Sequence, residues 1–378
     1  MTATIPANQS VEDLLGEAFG GPVTIAHTDH LAPWTVIRCH LAEPTPGLPT
    51  SVIVKWLRDH PTGFRTDPRQ VCTERAALEF LAELQFRLVP HVLASDLAAG
   101  ILVLEDLAPR VPLAGLLRDG GIAPSTGRLE AFARSTGQLA AATRWHSDAY
   151  HARRAALGPF DPNESERVLG HRWNETSQHL DTLGLAMTGS ARRDLASVVA
   201  ELANPGPFLA FTNGDTGTNN FLVDERRDAQ DGRIIDFESA GYRHALTAAT
   251  WIHMPGAMWI TVTDPVNNDL ESHYRDELSR AVPEAADDRR FGFAMAAACA
   301  AEALQRLNRF PNLESRTPGD DSRVQMIATL EAAAGTAEHH RSIPALGGWL
   351  RATAELLRRR WKDADVDLSC YRSYTMRT

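Results

Sequence analysis

The sequence predicts an α+β protein in two parts. Three observations carry this: strand-like runs crowd the first hundred or so residues, one helix pattern is set among them, and after Pro109 the pattern changes to helices separated by Gly and Pro. The expected division is 1–108, a small antiparallel sheet with one main helix, and 109–378, a larger and mostly helical unit. At 378 residues with 43% hydrophobic content, the chain can bury a large core and is long enough for two lobes.

The first strands are read at 23–25, 35–41 and 52–54, the last two joined by the Pro-rich turn Glu-Pro-Thr-Pro-Gly-Leu-Pro at 43–49. Asp67 followed by Pro68 is an N-cap with proline at the first helical position, so a helix is predicted from there to about Gln85. Strands at 92–94 and 101–104, turning at Ala99-Gly100, end on the acidic pair Glu105-Asp106. Beyond the boundary an amphipathic helix is predicted over Thr126 to about His146, then short strands near 208–212, 219–224 and 233–237 with a polar turn at 224–232. Helices at about 283–308, 321–340 and 345–363 complete the chain. The apolar stretch 245–263 contains His253 and Pro255 and runs into Asp264-Pro265, so it reads as a buried, kinked helical segment and not a membrane span.

A net charge of −10 repels phosphate backbones, which argues against nucleic acid as a partner and mildly favours a cationic small molecule. Four scattered cysteines, Cys39, Cys72, Cys299 and Cys370, have neither zinc-type nor disulfide-framework spacing. The amino terminus lacks the pattern of a signal peptide, and the expected location is the cytoplasm with no membrane association.

Lys55 closes the strand Ser-Val-Ile-Val-Lys. Both faces of that strand are apolar, so alternation alone leaves a snorkelling edge lysine as open as a cleft lysine. The following helix changes this. Val71, Glu74, Leu78 and Leu81 follow the spacing of a buried stripe, and a carboxylate in such a seam needs a partner. A Lys55–Glu74 ion pair answers both anomalies; Glu79, turned roughly 100° from Leu78, is expected to be solvated. Downstream, the buried strand ending at Phe211 leads into Thr-Asn-Gly-Asp-Thr-Gly-Thr-Asn-Asn (212–220), and Ile-Ile-Asp-Phe-Glu (234–238) follows. The loop by itself has the composition of any turn. Asp236, inside an apolar run, is harder to explain without a metal, a cation or a catalytic duty. Asp215 is placed to orient a hydroxyl and accept its proton, while Asn220 and Asp236 offer neutral and charged oxygens to magnesium. Glu238 is either a helper in the metal shell or an exposed strand-end residue.

These residues, in this order, resemble the aminoglycoside phosphotransferase and choline-kinase-like branch of the protein-kinase-like fold, over about residues 20–250. The matching elements are Lys55, Glu74, the Leu-Val-Leu-Glu-Asp-Leu hinge (102–107), the Gly-Asp loop ending in Asn220, and Ile-Asp-Phe-Glu. The resemblance implies a two-lobed kinase that uses ATP and Mg²⁺, with adenine beneath Leu104 against backbone groups of Glu105 and Leu107. It also implies γ-phosphoryl transfer to a hydroxyl of a small molecule such as an aminoglycoside, amino sugar or amino alcohol. The sequence departs from the family at three points. Asn213 stands where the family has histidine, the segment 27–34 has no glycine where a phosphate-covering loop is expected, and 241–250 lacks an aspartate. These departures motivate the alternative of a kinase-like binding protein that holds nucleotide or metabolite without transfer.

Among other residues, His339-His340 are expected at the surface and Trp251, Met254 and Trp259 in the core. Glu302 is expected to pair with Arg306, and Arg358-Arg359-Arg360 to form a solvated helix end.

Overall fold

The computed structural model describes residues 8–31, 36–43, 46–57, 67–120, 123–162, 186–225, 231–255, 269–318 and 321–366. The first part is a five-stranded antiparallel sheet of β1 (Ile25–His30), β2 (Val36–Leu41), β3 (Ser51–Trp56), β4 (Val92–Asp96) and β5 (Ile101–Glu105), in the order β1-β2-β3-β5-β4. β3 is central, with Lys55 opposite Val36 on one side and Leu102 on the other. One sheet face packs Ile37, Cys39, Val52, Val54 and Val103 against Val11 and Leu15 of α1 (Asn8–Phe19). That helix is absent from the sequence reading, although the four-residue spacing of Val11 and Leu15 signals it. The other face receives α2 (Pro68–Glu83), whose N-cap Asp67 accepts from Arg69 N. β1 starts where a strand at 23–25 was expected to end, and it takes in residues 27–30 of the expected glycine-free loop; positions 32–34 lie outside the described residues.

The second part begins with β6 (Val111–Pro112) and α3 (Leu113–Gly120), then α4 (Thr126–Thr143) and α5 (Ser147–Ala156). After α6 (Gly189–Ala203) come the short strands β7 (Leu209–Thr212), β8 (Phe221–Val223), β9 (Arg233–Ile234) and β10 (Gly241–His244). β7 pairs with β10, and β8 lies between β6 and β9. The loop 213–220 therefore connects two small ladders, leaving one at β7 and entering the other at β8. The chain closes with α7 (Leu270–Ser279), α8 (Asp288–Leu307), α9 (Phe310–Glu314), α10 (Asp321–His339) and α11 (Pro344–Arg360). Asp287 caps α8 through Arg290 N, so the expected helix 283–308 splits into a short 3-10 turn and a true helix. The expected kinked helix at 245–263 is instead two 3-10 turns, Ala245–Ala248 and Thr250–Ile252; positions 256–263 and Trp259 lie outside the described residues. No helix among the described residues is long and apolar enough to cross a membrane.

Aromatic rings tie the helices to the site strands. Phe132 of α4 stacks on Trp251 at 4.4 Å and lies 4.7 Å from Phe221 at the start of β8. Across the helical half, Asp194 of α6 accepts from the first amides of α11 at Ala345 and Leu346, satisfying donors that a helix start leaves free. Arg359 and Arg360 are exposed as expected, Arg360 pairing with Glu314 of α9, while Arg358 is partly covered and pairs with Glu331 of α10.

Phe132 is 1% exposed and bridges α4 to β8, so Phe132→Ala is expected to lower unfolding free energy by about 3–5 kcal/mol. Chemical denaturation of parent and variant measures this.

Candidate active site

The site is built around the end of β3. Lys55 Nζ donates to Glu74 Oε1 at 2.7 Å, to Glu74 Oε2 at 2.8 Å and to Asp236 Oδ1 at 2.6 Å. One ammonium thus joins the sheet, α2 and the segment after β9. Glu74 is buried, and its Oε1 also accepts from Phe237 N at 3.2 Å, so the same carboxylate holds the backbone beside Asp236. Glu79, expected in solvent, instead accepts from Arg75 and Arg153 and helps join α2 to α5.

Asp236 does not lie on a strand as the reading of 233–237 had it. β9 ends at Ile234, and Asp236 adopts a left-handed backbone with φ of 63°. Aspartate tolerates this conformation better than most side chains. The turn aims its carboxylate at Lys55, and Glu74, Asp236 and Glu238 bring one oxygen each within 4.8 Å of one another.

On the facing loop, Asn220 Nδ2 donates to Asp215 O at 2.8 Å and to Asp215 Oδ2 at 3.1 Å, and Asn219 Nδ2 donates to Asn220 Oδ1 at 3.0 Å. Ile235 N donates to Asn220 O at 3.0 Å, which ties this loop to the segment bearing Asp236. Asn213, 2% exposed, completes the frame: its Nδ2 donates to Asp215 O and Ile235 O, and its Oδ1 accepts from Thr216 Oγ1 at 2.8 Å. An asparagine side chain therefore bridges both segments where histidine was expected. Between them Gly214 has φ of 83°, and a Cβ there would stand 1.9 Å from Ser239 O. Glycine is required at this point.

Asp215 opens to solvent on one side, yet the surrounding protein strips much of its hydration. This desolvation raises its carboxyl above the usual range; the charge of Asp236 adds to the effect, the Asn220 hydrogen bond opposes it, and Glu302 adds a smaller increment. Glu302 itself bonds Arg306 Nε at 2.7 Å, the pairing the spacing predicted.

The segment 102–107 passes from β5 into the second part. Leu104 and Leu107 are buried. Glu105 N donates to His91 O, and Leu107 O accepts from Arg110. Between them, Asp106 takes bonds from Arg38 Nε at 2.6 Å, Ser51 Oγ at 2.5 Å and Ala108 N at 3.0 Å. Burial would raise the Asp106 carboxyl, but these bonds outweigh it and hold it below its ordinary value. Nothing in the spacing of the acidic pair Glu105-Asp106 marks Asp106 for this role. Arg38, a cation in the apolar strand β2, was the available signal.

No family model matches the chain, and no curated protein matches it. Solved structures do. An aminoglycoside 2'-phosphotransferase-IIIa in its GDP complex superposes with a TM-score of 0.51 at 11% identity, covering 88% of this chain and 99% of its own. An ethanolamine kinase from Plasmodium vivax superposes with a TM-score of 0.50 at 12% identity, covering 81% of this chain and 82% of its own. The fold is the two-lobed kinase-like α+β fold.

Asn213→Ala removes both bridges at once: Ile235 O loses this donor and Thr216 Oγ1 its acceptor, while Asp215 O keeps the bond from Asn220. It is expected to cost about 1–3 kcal/mol of stability, read as a lowered denaturant midpoint, while Asn213→His restores part of it.

Proposed function

We propose that the chain is a phosphotransferase that moves the γ-phosphoryl group of ATP to a hydroxyl of a small molecule. The observation that carries this is the convergence of Lys55, Glu74 and Asp236, with the loop of Asp215 and Asn220 tied to the same segment by the Ile235–Asn220 backbone bond and Asp215 within the field of Asp236. Lys55, held by Glu74, is the group that would pair with phosphate oxygens as the nucleotide draws it from Asp236. Leu104 and Leu107 would cover the base. Its hydrogen bonds fall to Glu105 O and Leu107 N, the backbone groups not consumed by His91 and Arg110.

For the divalent ion, the donors would be hard oxygens, which suit magnesium: Asp236, with Glu238 close to it, and Asn220 from the loop bonded to Ile235. Bound there, Mg²⁺ would neutralise phosphate charge. Asp215 would orient the acceptor hydroxyl and take its proton as the oxygen bonds to the γ-phosphorus and the bond from that phosphorus to the β-bridging oxygen breaks, releasing ADP. Its raised carboxyl suits this duty, since a base nearer neutrality holds the proton better. The two superposed structures are by name an aminoglycoside 2'-phosphotransferase and an ethanolamine kinase, an analogy of fold in the same direction.

The alternative, nucleotide binding without transfer, rested on Asn213, the glycine-free segment and the missing aspartate. The bonds of Asn213 supply the support whose loss the first of these implied.

Purified protein incubated with ATP, Mg²⁺ and a panel of aminoglycosides, amino sugars and amino alcohols should release ADP with at least one of them. Asp215→Asn should lower kcat by about 10²–10⁴-fold with nucleotide affinity retained. Equal, negligible turnover in both proteins alongside intact ATP binding would leave the binding-only account standing. Because the Asp215 carboxyl lies above 3.8, kcat/KM should fall as pH drops through that raised value, where the base becomes protonated. A pH–rate profile reads the limb, and its disappearance in Asp215→Asn assigns it.

A further inference from the structure

A second group of chemically capable side chains lies in the helical half and takes no part in the steps above. His253 follows the 3-10 turn Thr250–Ile252, Glu271 is in the first turn of α7, and His340 follows the last residue of α10. Glu271 Oε2 is 2.6 Å from His253 Nε2 and 3.0 Å from His340 Nε2. One ligand atom from each lies within 4.8 Å of the others. The side chains are 5%, 15% and 9% exposed in that order, so His340 is not the surface residue its position beside His339 predicted.

The surroundings are shaped for this meeting. On α8, a Cβ at position 292 would stand 2.9 Å from His340 Nδ1 and 3.0 Å from its Cβ, so Gly292 provides the notch that seats the imidazole. The rings of His253 and His340 are 5.9 Å apart and inclined at 75°, with both Nε2 atoms turned to the same oxygen. Glu271 also lines, with Ser272, Arg275 and Asp276, a cavity of about 310 Å³ beside the group.

We propose that His253, Glu271 and His340 form a binding site for a divalent transition-metal ion, with zinc the ion its donors favour. Two imidazole nitrogens and one carboxylate oxygen are a donor set for zinc, with a further position for water, whereas magnesium and calcium prefer oxygen alone. Ligand distances of about 2.0–2.2 Å place the three donor atoms farther apart than the present hydrogen bonds, a change that small side-chain rotations provide. The ion would cross-link the segment after β10, α7 and α10. The proposal rests on none of the phosphotransfer reading.

The test uses the full chain without an affinity tag, stripped with chelator and titrated with zinc chloride by calorimetry. One equivalent bound and a raised Tm are expected, with cobalt(II) giving the visible absorption of an imidazole- and carboxylate-bound ion. His340→Gln and Glu271→Gln should each weaken uptake by at least about tenfold. His27→Gln should leave it unchanged, because it touches only the exposed cluster of His27, Asp29 and His40 on β1 and β2. Failure of the parent to bind one equivalent, uptake that survives His340→Gln, or uptake lost in His27→Gln overturns the proposal. Should a glutamine variant fail to fold by circular dichroism, anomalous scattering at the zinc edge from crystals of the parent decides: an ion among His253, Glu271 and His340 supports the site, and an ion elsewhere or none refutes it.

Discussion

The contact on which the rest of the site depends is the Lys55 ammonium held between Glu74 and Asp236. Lys55 is 13% exposed on its side chain, Glu74 4% and Asp236 17%, so these charges have given up much of their water and need one another. Removing the lysine would leave two carboxylates facing each other, whereas losing either carboxylate leaves the ammonium still paired with the other. The three members come from a central strand, a helix and a left-handed turn far downstream. The sheet, α2 and the second part of the chain are thereby fixed relative to one another at the place where the proposed chemistry occurs.

The opposite wall is held by different means. Short side chains bond backbone atoms across the loop 213–220, and Asn213 and Asn220 each reach both Asp215 and the Ile235 segment, directly or through their own backbone. Neutral amides suit this duty, because they can donate and accept at once without adding charge beside Asp215 and Asp236. Gly214 lets the loop press against Ser239 O, which no larger residue could do. One wall is thus fixed by charge and the other by neutral hydrogen bonds, and the carboxylate proposed as base lies on the neutral wall.

Asp106 applies the same logic to the passage between the two parts. A buried carboxylate with Arg38, Ser51 and the Ala108 amide around it ties β2, β3 and the start of the second part together, directly beside Glu105 and Leu107. The segment proposed to meet the base is therefore a braced one, and its backbone groups are held in direction by bonds made on either side of them.

The sequence alone determined what depends on local spacing and composition. Aspartate and proline at 67–68 set the start of α2, apolar runs marked β2 to β5 but only the first residue of β1, and a carboxylate in the apolar seam of α2 drew attention to Glu74 and Lys55 together. The long helices from 288 onward followed from their periodicity. Tertiary structure alone decided what depends on distant partners. Asp236 left the predicted strand because Lys55 and Glu74 hold it in a turn; Glu79, His340 and Arg358 became partly or largely covered by partners on other helices; and Asp106 and Asn213 acquired their roles from groups up to dozens of residues away. A periodic pattern records which face of an element is dry, since each residue is compared with its near neighbours. It does not record which charge from elsewhere in the chain will meet that face, because that is fixed only when the elements pack.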